Sequence, residues 1–466
     1  MNANFIKLMK SEGLREEVIR TFQTYYDNLV KGDKGFISKQ QIQPPSPHNL
    51  INYESIKHKA NTQLLKSTVV LKLNGGLGTS MGLSKAKSLL PVKGNMNFLD
   101  IISRQVLTLR ASSGYDVLLL FMNSFSTEAD TIQYLTKYPD LGKQDIPLSF
   151  MQNKFPRIRQ DNLMPYESPN NAQMWNPPGH GDIFTAITSD GLLEKLIASG
   201  YRYAFVSNAD NLGATLDSSI PGYMEENNIP FIMEVCHRTS MDKKGGHLSE
   251  DLSGQLLLRE IAQCPQDELD EFQDIEFYRY FNTNNLWIDL KALEWQLISS
   301  DGLMLLSPIV NPKMVEGTAV YQVETAMGSA ISNFNNSKAV VVPRERFAPV
   351  KKTNDLLAIW SDAYDLNDQY QITLKRGLEK APHIELDDNY YGTVSALQAR
   401  FPHGAPSLNS CKELIVKGDV TFLEDVICEG KVSLNAFSPA SIRNCLLTGE
   451  MKLGDIPNGD SNPIRG

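Results

Sequence analysis

Four glycines, Gly75, Gly76, Gly78 and Gly82, fall within eight residues, and Lys85 and Lys87 follow. Glycines let backbone N–H groups approach phosphate oxygens, and a lysine behind them adds a point charge. The stretch therefore suits a polyphosphate. A P-loop requires G-x-x-x-x-G-K-[ST], and no glycine of this loop precedes Lys-Ser. Gly76 and Gly78 begin a dinucleotide fingerprint, but Met81 stands where its third glycine should be. On its own such a cluster reads equally well as an ordinary βα turn.

The surrounding elements favour a site. Thr68-Val69-Val70-Leu71 reads as a buried strand feeding the loop. Behind a cap at Asn97, the residues Phe98, Leu99, Ile102, Val106 and Leu109 mark one helix face. Asp116 to Phe121 reads as a strand covered on both sides, Thr127 to Leu135 as helix, and Leu148 to Gln152 as strand. Leu192 to Ile197 reads as helix, followed by strands at Tyr203–Ser207, Phe231–Val235 and Lys338–Val342. Gln255 to Arg259 is assigned to a hairpin. The alternation predicts a doubly wound α/β sheet. Ligands in such sheets sit at the carboxyl ends of strands. The glycine loop, Gln152 and Asn208-Ala209-Asp210 all lie at such ends, which predicts one shared site.

Outside this sheet, Leu14, Val18, Phe22, Tyr25 and Leu29 form an amphipathic N-terminal helix, and Gly35 to Pro47 reads as a linker-like break. Beyond about Ser407 helical periodicity disappears. Leu414–Phe422 is echoed at Glu429–Leu434 and Gly449–Leu453, with spacings near multiples of six. Parallel β-helix coils fit this, and a small β-sandwich is the alternative.

A chain of 466 residues has room for two to three domains. Apolar content of 41% and charged content of 21% are those of a soluble globular protein. A net charge of −9 argues against a general nucleic-acid or membrane-surface binder, so any lysines for phosphate must be gathered locally. No apolar run approaches the ~20 residues of a membrane span. Neither Met1–Phe5 nor Asn462–Gly466 reads as a targeting signal, so a cytoplasmic location is expected. The five cysteines make no C-x-x-C pair and read as reduced, buried thiols.

Seven blocks in register carry a family resemblance: Leu73–Thr79, Met122–Phe125, Pro177–Asp182, Val206–Gly213, Lys244–Gly246, Phe281–Trp287 and Arg346–Lys351. From about Val69 onward the chain resembles the eukaryotic UTP–glucose-1-phosphate uridylyltransferases, most of all the trypanosomatid branch. The resemblance implies a Rossmann-like, glycosyltransferase-A-like nucleotidyltransferase domain over 51–385. It further implies an N-terminal helical segment over 1–50 and a C-terminal left-handed parallel β-helix over 386–466. The implied reaction is UTP plus glucose 1-phosphate giving UDP-glucose and pyrophosphate, with Mg²⁺. Monomer and homo-oligomer, the latter through the C-terminal domain, both stay open.

Carried over by position, the resemblance makes Lys87 and Lys351 the catalytic cations. Lys85 is a neighbour of the first, Ala86 stands where the family often has Pro, and Lys352 adjoins the second. Leu73, Asn74, Gly75, Gly76, Gly78 and Thr79 form the phosphate-facing loop. Gln152, Pro178 and Gly179 are expected at the uracil ring, with Met122 packing nearby and His180 on sugar or phosphate. Asn208, Gly246, Glu260 and Asn284 are the expected hexose readers, with Asn282 and Asn285 as alternatives to Asn284. Asp210, a hard carboxylate at a strand end, is expected to hold the metal or to contact the ribose side. Glu324–Gly328 reads as helix packed near the site. A related enzyme for galactose or an N-acetylhexosamine is a second reading. The N-acetylglucosamine enzymes usually carry Ala-Gly-Gly and Arg in the loop, whereas this chain has Asn74 and Ser80. A non-enzymatic nucleotide-sugar sensor is the third, and it would be expected to have lost Lys87, Lys351 or Asp210.

Overall fold

The apolar run before the glycine loop is a strand, Thr68–Asn74, with all seven residues buried. In chain order the strands along the main path of its sheet are β1 (Leu50–Asn52), β2 (Thr68–Asn74), β3 (Leu118–Asn123), β4 (Ser149–Met151), β5 (Tyr203–Asn208), β6 (Phe231–His237), β7 (Tyr280–Asp289) and β8 (Lys338–Val341), and Ile42–Gln43, His247–Asp251 and Leu256–Arg259 join it off that path. The strands of the main path lie side by side as β1-β8-β6-β7-β5-β2-β3-β4. Neighbours are parallel except at β7, which runs antiparallel to both β5 and β6. The sheet is thus doubly wound and mixed. The computed structural model describes residues 3–143, 145–378 and 380–454.

Strand alternation feeds two cores. Val70, Leu119, Phe121 and Phe205 face one side. Val69, Leu71, Leu118, Leu120 and Val206 face the other. Helices cover both faces, which is why these strands read as continuous apolar runs. The expected helix after the loop is Phe98–Ser113. Asn97 caps it reciprocally with Asp100, and Gly114 ends it in the left-handed region. Asp116 and Val117 precede β3, and the strand extends instead to Asn123.

The N-terminal segment holds two helices, α1 (Ala3–Ser11) and α2 (Glu16–Val30). Phe5, Phe22 and Tyr26 pack with Phe155 and Trp175 in a separate aromatic cluster. The linker reading of Gly35 to Pro47 is overturned. Glu268 accepts bonds from Ser38 Oγ and Lys39 N, and Glu250 from Ser46 N and Oγ. Ile42 and Gln43 also pair with Asp251 and Glu250. Buried carboxylates satisfy this backbone, a partnership that composition does not show.

Glu324–Gly328 is likewise not one helix. Thr318–Thr325 is a strand paired with Pro308–Val315, and a 3₁₀ turn, Met327–Asn333, follows. Gln255–Arg259 does belong to a hairpin, with His247–Asp251.

At the C-terminal end, β9 (His383–Leu386), β10 (Ser407–Lys417), β11 (Val426–Ala436) and β12 (Cys445–Leu453) stack in parallel. Val420–Phe422 and Ala440–Ile442 form a second parallel pair. Leu414 lies beside Val432 and Leu434 beside Met451, so one coil takes about 18 residues, three sixes. All-parallel pairing selects the β-helix over the sandwich. Strand β9 straddles the expected 385/386 boundary, and residues 462–466 lie outside the described residues.

Candidate functional site

The glycine loop leaves β2 and folds back on itself. Gly78 takes φ +69° and opens a short turn, Thr79–Met81. A Cβ on Gly78 would stand 2.9 Å from Leu83 Cδ1 and 3.2 Å from Lys87 Cγ, so glycine is needed on both counts. The fold-back is closed by Lys87 N donating to Gly76 O at 3.0 Å. Lys87 is thereby aimed across the sheet edge, where its Nζ reaches Asp210 Oδ2 at 2.6 Å. Lys85 stays exposed, which separates the two candidates.

Asp210 follows β5, whose last residue, Asn208, lies beside Leu73 at the end of β2. The other carboxylate oxygen, Oδ1, is buried without a hydrogen-bond partner. An unpartnered anionic oxygen suits a divalent cation. Among the described residues no group of three or more His, Cys, Asp or Glu could hold a metal. A cation here would therefore draw its other ligands from phosphate and water.

The segment bearing Lys351 is tied to the same loop. Val350 N donates to Asp210 O at 3.1 Å, and Ala348 N to Asn211 Oδ1 at 2.9 Å. Lys351 Nζ lies over the Phe347 ring at 5.8 Å. Its charge acts at His180, Glu260 and Asp355, and Lys87 acts at Asp355 as well. Both expected cations thus converge. Lys352 points away, with Nζ 3.7 Å from Asp388.

On the other side, Gln152 N is held by Asn123 O at 2.7 Å, and Gln152 Nε2 donates to Gly179 O at 2.7 Å. Gly179 has φ +81°, and a Cβ there would lie 2.4 Å from Thr325 O. Thr325 N donates to Pro178 O at 2.8 Å, so the strand end braces this turn. Met327 N donates to His180 Nδ1 at 3.0 Å. An accepting Nδ1 requires neutral imidazole, and burial, helped by the Lys351 charge, pushes the His180 pKa down to about 4. A cavity of about 500 Å³ opens against Gln152 and Asn153, with Arg15, Phe125 and Lys154 on its walls.

Gly246 and Glu260 meet across the hairpin. A Cβ on Gly246 would stand 2.6 Å from the Glu260 carboxyl group. Burial raises the Glu260 pKa while Lys351 lowers it. Asn284 adopts φ +57° beside a bulge between β6 and β7. Asn282 is buried and bonded to Asn284 at 2.9 Å, and Asn285 is buried against Glu234. Asn284 is the half-buried member of the three.

Two expected residues, Asn74 and Leu73, are placed differently. The Asn74 amide is spent on Asn123 Oδ1 and Thr131 Oγ1. Met122 and Leu73 belong to the core beneath the edge. Sequence reasoning gave no role to Asn211, Asp355, Asp182 or the buried Glu234–Arg346 pair. All but Asp355 and Glu234 stand inside quoted motif blocks, which was the available signal.

The model of the UTP–glucose-1-phosphate uridylyltransferase family matches residues 19–429. A relative of that name, numbered 2, from Dictyostelium discoideum is 38% identical over 92% of this chain and 85% of its own. The one from Solanum tuberosum is 40% identical over 88% and 86%. Among solved structures, a variant of Leishmania major UDP-glucose pyrophosphorylase in complex with UDP-glucose superposes with TM-score 0.91. It is 41% identical and covers 97% of this chain and 99% of its own. A Trypanosoma brucei UDP-glucose phosphorylase reaches 0.90 at 42% identity, over 97% and 99%. The chain belongs to the UTP–glucose-1-phosphate uridylyltransferase family.

Proposed function

We propose that UTP lies along the edge formed by the glycine loop, Gln152, Gly179 and Asp210, with glucose 1-phosphate between Lys351 and the Gly246–Glu260 contact. The chain is a nucleotidyltransferase that converts these substrates to UDP-glucose and pyrophosphate. An oxygen of the sugar phosphate attacks the α-phosphorus. The new P–O bond forms as the α–β bridge breaks, and pyrophosphate leaves in line. The nucleophile is already an anion, so no general base is required and catalysis is alignment plus charge neutralisation.

One observation carries this reading: Lys87 and the Lys351 segment both close on Asp210 at the carboxyl edge of the sheet. Lys87 offers its cation to the phosphate undergoing transfer. Lys351 offers a second from the opposite side. Gln152 and Gly179 meet the uracil edge, which amide and carbonyl groups distinguish. Glu260, Asn284 and Asn208 face the sugar hydroxyls, with Gly246 leaving room beside Glu260. Asp210 would hold Mg²⁺, which neutralises phosphate charge when bound. Five free cysteines, four of them buried, fit a reducing, cytoplasmic setting.

The test is pyrophosphate release from UTP, Mg²⁺ and glucose 1-phosphate, with galactose 1-phosphate and N-acetylglucosamine 1-phosphate in parallel. Release with glucose 1-phosphate is expected to dominate. No release with any sugar would overturn the reading and leave the sensor alternative.

A further inference from the structure

The two expected base readers bond to each other: Gln152 Nε2 donates to Gly179 O at 2.7 Å. The Gln152 amide keeps a second N–H and its carbonyl oxygen with which to meet a uracil edge. A second tie spans the same gap one residue on. Asp182 Oδ2 accepts from Asn153 N at 2.6 Å, and Oδ1 accepts from Asn153 Nδ2 at 2.9 Å. Asp182 N also donates to Gly179 O at 3.2 Å. The carboxylate therefore joins the end of β4 to the Gly179 turn without facing the ligand itself.

We propose that Asp182 is a positioning residue that fixes the width of the uracil slot and thereby the preference for uracil over cytosine. This rests on Gln152 and Gly179 being the base readers.

Two further observations support it. Asp182 is 6% exposed and forms no ion pair among the described residues, an expensive place for a carboxylate that only packs. Burial pushes its pKa up to about 7 even though Asn153 and the nearby Arg15 charge pull it down. Perturbed buried acids of this kind concentrate where function demands them. Arg15 itself, just before α2, is fastened to Thr185 O at 2.8 Å and Thr188 Oγ1 at 3.2 Å. The segment before α2 thus brings a positive charge that opposes part of the burial effect on Asp182. Widening the slot by a few tenths of an ångström weakens a hydrogen-bonded base edge but leaves the sugar phosphate site untouched.

The experiment compares Asp182→Ala, Asp182→Asn, Asn153→Ala and Gln152→Ala with wild type, reading KM for UTP, KM for glucose 1-phosphate, kcat and the UTP:CTP preference. Asp182→Ala and Asn153→Ala should each raise KM for UTP about tenfold and lower the UTP:CTP preference about as much, with KM for glucose 1-phosphate within about twofold. Asp182→Asn keeps one oxygen for Asn153 and should recover about half of the loss on a logarithmic scale. Its thermal midpoint should fall less than that of Asp182→Ala, because one of the two bonds to Asn153 is kept. Wild-type UTP kinetics in folded Asn153→Ala and Asp182→Asn would overturn the inference. So would equal losses toward both substrates together with a lowered thermal midpoint. Wild-type UTP kinetics in Gln152→Ala would instead overturn the base-reader assignment itself.

Discussion

Lys87 and Asp210 meet through one oxygen only: Nζ lies 2.6 Å from Oδ2, while Oδ1 is buried and unpartnered. The lysine therefore leaves half of the carboxylate available. Asp210→Asn keeps the shape and removes the charge. It should cut kcat by roughly 10²–10³-fold, as loss of one preorganised electrostatic group does. The Mg²⁺ concentration for half-maximal rate should rise as well. A magnesium titration at saturating substrates checks both, and an unchanged titration curve would remove Asp210 as the ligand.

Lys351 is exposed, and its backbone N–H is fixed by Asp355 Oδ2 at 2.7 Å. Its side chain holds little of the fold. Lys351→Ala should lower kcat by about 10²-fold or more with the thermal midpoint nearly unchanged. Steady-state kinetics beside a thermal melt decides it. Normal turnover with a large loss of stability would make this lysine structural.

How far the chain was readable follows from where each element finds its partners. The runs Val69–Leu71 and Val117–Phe121 declared themselves because helices cover both faces, leaving them apolar, whereas Lys72 beyond the first is buried against Ser207 and Ala214. Strand β7 showed only as a motif, because Asn282, Thr283, Asn284 and Asn285 break its apolar pattern. Those residues are satisfied by bonds to Glu234, Asn211 and each other, which no local period encodes. Lys85 and Lys87 stood out behind the glycines and Asp210 at a strand end, while the choice of Lys87 came from the family resemblance. The direction of Asn74 was not, since a strand residue's face is fixed only once its neighbours are known.

Arg346 and Glu234 form a buried bidentate pair, Nη2 to Oε1 at 2.6 Å and Nε to Oε2 at 2.8 Å. Trp287 Nε1 and Asn285 Nδ2 also donate to Glu234. The pair anchors the start of the segment that ends at Lys351. Arg346→Met leaves a buried carboxylate without its cation and should cost about 3–5 kcal/mol of unfolding free energy. Urea denaturation measures it. Adding Glu234→Gln should restore part of that stability, because the uncompensated charge is gone. No recovery in the double variant would mean that the loss comes from packing instead.

His180 and Asp182 stand two residues apart and oppose each other in their response to acid. His180 has its pKa pushed down to about 4 by burial and Lys351, so between about 4 and its ordinary value near 6.5 the unfolded chain binds more protons. The stability that it contributes therefore falls as pH drops through that window. Asp182 has its pKa pushed up to about 7 by burial, so between its ordinary value near 3.9 and about 7 the folded chain binds more protons. Its contribution falls as pH rises. The two slopes offset each other between about 4 and 6.5. Replacing one group should expose the other. Relative to wild type, His180→Asn should gain stability as pH falls from 6.5 to 4.5, and Asp182→Asn should gain as pH rises from 4.5 to 7. Either slope is bounded by about 1.4 kcal/mol per pH unit for a single proton. Urea midpoints at four pH values between 4.5 and 7.5 read both signs. Parallel curves for His180→Asn and wild type would show that this imidazole is not held neutral by the fold.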